Sequence, residues 1–169
     1  MHELDIFLRI VHIVAGVFWV GSIFLFVIAI FPIVRSLGPS GERSFWLKFL
    51  SSPLTVIYPI AAVSTIAAGV TLALRSRWGN LDSFFATGWG WAILLGFLGV
   101  FVSLVLVIVM EEPASKKVRT ILVTLQGREP DSAQASQIRH LMDRVVRSNQ
   151  YEAVALLVSV GAMAAARSV

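Results

Sequence analysis

The chain contains no cysteine. That absence excludes disulfides, cysteine-ligated zinc, iron–sulfur clusters, thiol catalysis and covalent c-type haem attachment. Any haem would have to be held non-covalently. Charge is also scarce: 14% of the 169 residues are Asp, Glu, Lys or Arg, against about a quarter in a soluble globular domain. Four methionines without cysteine give poor support to a copper relay. Gly88-Trp89-Gly90 lacks the lysine of a phosphate-binding loop. No Ser–His–Asp arrangement, internal repeat or low-complexity tract can be argued.

What the chain does have is apolar length. It is 57% hydrophobic with a mean hydropathy of +0.81, which reads as one all-α integral membrane domain over residues 1–169. The leading stretch is Leu8–Val34. From Ile10 to Val34 its one strongly polar side chain is His12. At ~1.5 Å per residue such a run crosses a ~30 Å hydrocarbon core with some tilt. Glu3 and Asp5 precede Arg9, and the apolar run is about twice a signal core, so a retained span is expected rather than a cleaved leader.

Four spans are expected, at 6–35, 53–75, 88–111 and 150–167, forming a four-helix bundle. Pro32 is expected to bend the first and Pro59 to kink the second. Ser36–Ser52 reads as a loop broken by Gly38-Pro39 and Gly41, with Phe45, Trp46 and Phe49 beside Arg43 and Lys48 suggesting an interfacial helix or aromatic belt. Arg75 and Arg77 end the second span, and Trp78, Gly79-Asn80 and Asp82 lie in the following loop. Small residues at Ala61/Ala62, Thr65, Ala68/Gly69 and Ala73, and at Gly96, Gly99 and Ser103, allow close helix approach. Glu111-Glu112 mark the exit of span three, as a cation or proton port or as helix-end carboxylates that face water.

Beyond Pro113 the helical period continues. Val118, Ile121, Leu122 and Leu125 share one face. After a turn at Gly127–Asp131, Ile138, Leu141, Met142, Val145 and Val146 share another. These two runs are expected to pair as a helical hairpin over 113–149, outside the bilayer, extending spans three and four. The absence of charge inside spans two to four argues against a proton-coupled transporter.

Orientation follows from Lys and Arg. Arg35, Arg43, Lys48, Lys116, Lys117, Arg119, Arg128, Arg139, Arg144 and Arg147 fall on one side, and Arg9, Arg75, Arg77 and Arg167 on the other. Both termini should then face outward and the basic loops the cytoplasm, in the cell inner (plasma) membrane. The net charge of +4 and pI near 10.1 sit at span ends, so the expected counter-surface is the lipid bilayer and not nucleic acid.

An ionisable residue in a membrane span is a functional hypothesis by default, and neutral imidazole is a haem-iron ligand. On the His12 face lie Arg9, Gly16 and Trp19. Ala15 and Gly16 leave a shallow place for a flat ring, Trp19 offers an aromatic wall, and Arg9 can meet a propionate or pair with Asp5. The set suits haem b with His12 as axial ligand. Equally, a lone membrane histidine can simply bond a neighbouring helix. No other span holds a histidine. Met163 lies near the same membrane face as His12, as a second metal ligand or as packing. His140 is expected on the opposite side, and His2 near the terminus.

The stretch VHIVAGVFWVGSIF, His12 followed by Trp19-Val20-Gly21, resembles the opening helix of the copper-resistance protein D (CopD) and HemJ-type membrane proteins. Ala62–Leu72 (AVSTIAAGVTL) is similar to their small-residue helix, and Ala162–Arg167 (AMAAAR) to the ending of many small four-helix members. The resemblance implies a helical bundle and, from HemJ-type proteins, haem bound through the first-span histidine, here His12. HemJ-type enzymes oxidise protoporphyrinogen using a lysine in a later span, which this chain lacks, and the metal ligands of CopD are unmatched. Whether the chain is an enzyme stays open. The reading is a membrane haem-binding protein for electron transfer or for redox or ligand sensing. The rival is a haem-free accessory subunit that docks other membrane subunits or a second copy.

Overall fold

The computed structural model describes residues 2–76, 85–125, 128–166 and 168. The expected features at Arg77, Trp78, Gly79-Asn80, Asp82, Gly127 and Arg167 lie outside them. Every regular element among the described residues is helical: α1 (His2–Leu25), α2 (Phe31–Ser36), α3 (Gly38–Leu50), α4 (Leu54–Ser76), α5 (Gly88–Leu106), α6 (Glu112–Thr124) and α7 (Ser132–Ala165).

One-turn π segments at Phe26–Ile30 and Val107–Glu111 join α1 to α2 and α5 to α6. Each ends two residues before a proline, Pro32 or Pro113. A proline ring clashes with the carbonyl four residues back and brings no N–H. A widened turn relieves that clash: Phe31 N–H bonds to the Phe26 carbonyl and Glu112 N–H to the Val107 carbonyl, each five residues back. The helical path therefore continues past both prolines. Pro59 sits inside α4, which also runs on without a break.

Three helical stretches are long and apolar enough to cross a membrane: His2–Ser36, Leu54–Ser76 and Gly88–Thr124. The C-terminal stretch expected as a fourth span is the end of α7, 34 residues long. That helix is not among the three. Asp131 starts it with reciprocal bonds: its carboxylate accepts from Gln134 N–H at 2.8 Å, and the Gln134 side-chain oxygen accepts from Asp131 N–H at 3.1 Å.

The chain forms two compact units. The first comprises Met1–Ser22, Pro53–Gly99 and Leu156–Val169. Within it α1 lies against α4. Asp5 accepts from Arg75 Nε at 2.6 Å, in place of the expected Asp5–Arg9 pair. Spacing within one helix exposed only the local partner. Also in this unit, Ser159 Oγ donates to the Gly96 carbonyl of α5 at 2.8 Å.

The second unit comprises Ile23–Ser52 and Val100–Ala155. Its core is one cluster: Phe31 and Val34 of α2, Trp46 of α3, Ala114, Val118 and Leu122 of α6, and Ile138, Met142 and Val145 of α7. The two amphipathic runs do meet, but α2 and α3 complete their core. Within the stretch read as a loop, the helix expected beside the aromatics is the 13-residue α3. Gly38 takes a φ of +72°, which turns the chain at the end of α2 and suits glycine. Pro39 then occupies the first helical turn, where no N–H is needed. Trp46 is 4% exposed and makes edge contacts with Phe45 and Phe49. Phe45 and Phe49 pack against this internal core around Trp46. Arg35 of α2 and Asp143 of α7 form an ion pair.

Candidate functional site

His12 meets α4 in the first unit. Its Nδ1 lies 2.7 Å from the Thr65 carbonyl oxygen. A carbonyl only accepts, so Nδ1 carries the proton and donates. In the neutral ring Nε2 is then left with its lone pair, and it has no hydrogen-bond partner among the described residues. The Thr65 hydroxyl is turned back on its own helix, donating to the Ala61 carbonyl at 2.8 Å. Only the backbone of Thr65 therefore engages the ring.

The close approach comes from small residues on both helices. A Cβ at Gly69 would stand 2.7 Å from Cε1 and 2.9 Å from Nδ1 of His12, and a Cβ at Gly16 would stand 3.3 Å from Thr65 Cγ2. The space expected beside Gly16 for a flat ligand is thus occupied by α4. The ring nitrogen left without a hydrogen-bond partner among the described residues is Nε2.

Arg9 is exposed, and Trp19 is buried at 3% exposure. Met163 packs on α5, its Cγ and Cε filling the place of a Gly96 side chain. No hydrogen bond among the described residues joins it to His12. His2 is exposed at the start of α1, and His140 is exposed on α7 in the second unit. Among the described residues no group of three or more His, Cys, Asp or Glu side chains is placed to hold a bare metal ion.

A second polar constellation, in the second unit, was missed by the sequence reading. Glu152 is 1% exposed, although its position falls in a span read as free of charge. Ser103 Oγ donates to Glu152 Oε2 at 3.2 Å, and Ser148 Oγ lies 3.4 Å from Oε1. Ser148 Oγ also reaches the Leu106 carbonyl at 3.3 Å. Asn149 Nδ2 donates to Glu111 Oε2 at 3.1 Å and to the Val145 carbonyl at 3.0 Å. Glu111 does not simply face water, as adjacent helix-end carboxylates usually do. The available signal was Ser148 and Glu152 four apart on α7, opposite the small face of α5 that includes Ser103.

The π turn helps to explain part of this network. Pro113 cannot donate to the Val109 carbonyl four residues before it, and Arg144 Nη2 takes that acceptor at 2.8 Å.

No protein-family profile, curated protein or solved structure matches this chain.

Proposed function

We propose that this chain is a four-span helical bundle in the inner membrane that binds haem b through Nε2 of His12, with the α6–α7 hairpin and basic loops in the cytoplasm. The observation that carries the haem reading is the bond from His12 Nδ1 to the Thr65 carbonyl. Metal-ligating histidines typically donate their other ring N–H to a carbonyl or carboxylate, which fixes tautomer and ring plane and raises ligand basicity. One imidazole donor suits a metal that arrives with its remaining ligands in a macrocycle, whereas a bare ion needs several side chains. The likeness of the first span to HemJ-type proteins supports the same reading.

The membrane assignment rests on the three apolar helices and on the outward apolar faces, among them Phe7, Ile10, Ile13, Val14 and Val17 on α1. The fourth span, through the end of α7, rests on the Ala- and Gly-rich run Tyr151–Ala166, and the outward termini rest on the Lys and Arg distribution.

The residues fit the group in part. His12 would hold the iron, and exposed Arg9, one turn earlier, would meet a propionate. When bound, haem would supply one-electron redox chemistry or a site for a small ligand. His12 would orient the group through its bond to the Thr65 carbonyl.

Purified detergent-solubilised protein should show a Soret band, and sharp α and β bands on reduction if the iron has two axial ligands. His12→Ala should lose at least nine-tenths of the haem. Full haem content in that variant would sink the proposal.

The second reading is a haem-free accessory subunit. The observation that favours it is that α4 already fills the small-residue face at Gly16 while the His12 ring fills the space at Gly69, which makes His12 an interhelical tie. It predicts a colourless protein that co-purifies with fixed membrane partners, or with a second copy.

A further inference from the structure

The imidazole of His12 occupies the volume that a side chain at position 69 would need. An added Cβ there would lie 2.7 Å from Cε1, 2.9 Å from Nδ1 and 3.6 Å from Nε2. The first two are shorter than real Cβ contacts. The ring edge that fits against Gly69 is thus the Nδ1–Cε1 edge, the same edge that bonds to Thr65. Residues 65 and 69 are four apart in α4, so the Thr65 carbonyl also accepts the helical N–H of Gly69. A carbonyl has two lone pairs and can serve both donors.

We propose that Gly69 is a positioning residue: by admitting the ring to the Thr65 carbonyl, it selects Nε2 as the nitrogen that His12 presents. Which imidazole nitrogen carries the proton is set by the bond made at the other. With a methyl at position 69 the hydrogen-bonded α4 backbone resists moving, so the ring moves instead. Nδ1 leaves the Thr65 carbonyl, and both nitrogens then exchange the proton. The relevance to haem rests on the proposed function, but the tautomer assignment does not.

The test uses the full chain in detergent, haem-free, with 15N-labelled histidine. His12→Ala assigns the His12 signals against those of His2 and His140. The wild-type ring should give a protonated Nδ1 and a pyridine-type Nε2. Gly69→Ala should lose that pattern, while Gly16→Ala, whose methyl would meet only the Thr65 side chain, should keep it. Haem added to the same samples should bind Gly69→Ala roughly 10–100-fold more weakly than wild type.

A protonated Nε2 in the wild type, or an unchanged pattern in Gly69→Ala, would overturn the assignment. If the pattern behaves as expected but wild type takes up no haem, the positioning role stands and the haem reading falls. If Gly69→Ala is not monodisperse, the double variant His12→Ala/Gly69→Ala decides. Removing the ring makes room for the methyl, so the double variant should recover. Failure to recover would count against the ring as the obstacle.

Discussion

Glu152 and His12 make opposite demands at the scale of one residue. The two oxygens of Glu152 are met by hydroxyls from Ser103 and Ser148, so truncation strips partners from a buried site. Glu152→Ala should lower the unfolding free energy by about 2–4 kcal/mol, combining lost hydrogen bonds with a cavity. Glu152→Gln keeps the shape and most of the polar contacts, and should cost about 1 kcal/mol. Denaturant titration in detergent separates the two, and equal losses would mean that the hydroxyl contacts contribute nothing. His12 was legible in the sequence because it stands alone in a long apolar run. Glu152 was not, because Ser148, Asn149 and Gln150 precede it and blur the point where the amphipathic half of α7 becomes apolar. Burial there depends on α5, and a single-helix pattern does not report a neighbour. The tie from His12 to Thr65 is not legible in the sequence beyond a lone histidine's general capacity to bond a neighbouring helix, since a backbone acceptor leaves no mark in side-chain identity.

Within the helices, the hydrophobic period located the long elements well, but proline and glycine misled at two points. Gly38-Pro39 and Gly41 read as loop. In fact only Gly38 makes a turn, and the cost of Gly41 inside α3, of order 1 kcal/mol, is offset by the burial of Trp46. Trp46→Ala should therefore destabilise the second unit by about 3–5 kcal/mol, seen as earlier loss of protection from hydrogen exchange in α3, α6 and the first half of α7. The junction at Pro113 makes a finer forecast. Arg144→Ala leaves the Val109 carbonyl without its side-chain donor and should cost about 1–2 kcal/mol. The double variant Arg144→Ala/Pro113→Ala, which restores a backbone N–H to that carbonyl, should recover part of the loss.

For the whole molecule, charge distribution predicts orientation, and the lack of cysteine makes it easy to measure. Single cysteines at Ser136 on α7 and at Ser168, both exposed positions, give a clean background for a membrane-impermeant maleimide. In intact spheroplasts S168C should label and S136C should not, until the membrane is permeabilised. The reverse pattern would invert the topology, and labelling of both would place them on one side.

The bond between His12 and Thr65 joins residues 53 positions apart, and this sets an order of events during synthesis. At roughly 5–20 residues per second, about 3–10 s separate the two residues at the ribosome. Throughout that interval α1 is complete but its ring N–H has no α4 carbonyl to bond. In a chain inserted helix by helix, arrival of α4, and not entry of α1 into lipid, is the step that gives the His12 ring its partner. An insertion factor that shelters α1 until then would meet a helix whose one strongly polar side chain beyond Arg9 is still unclaimed.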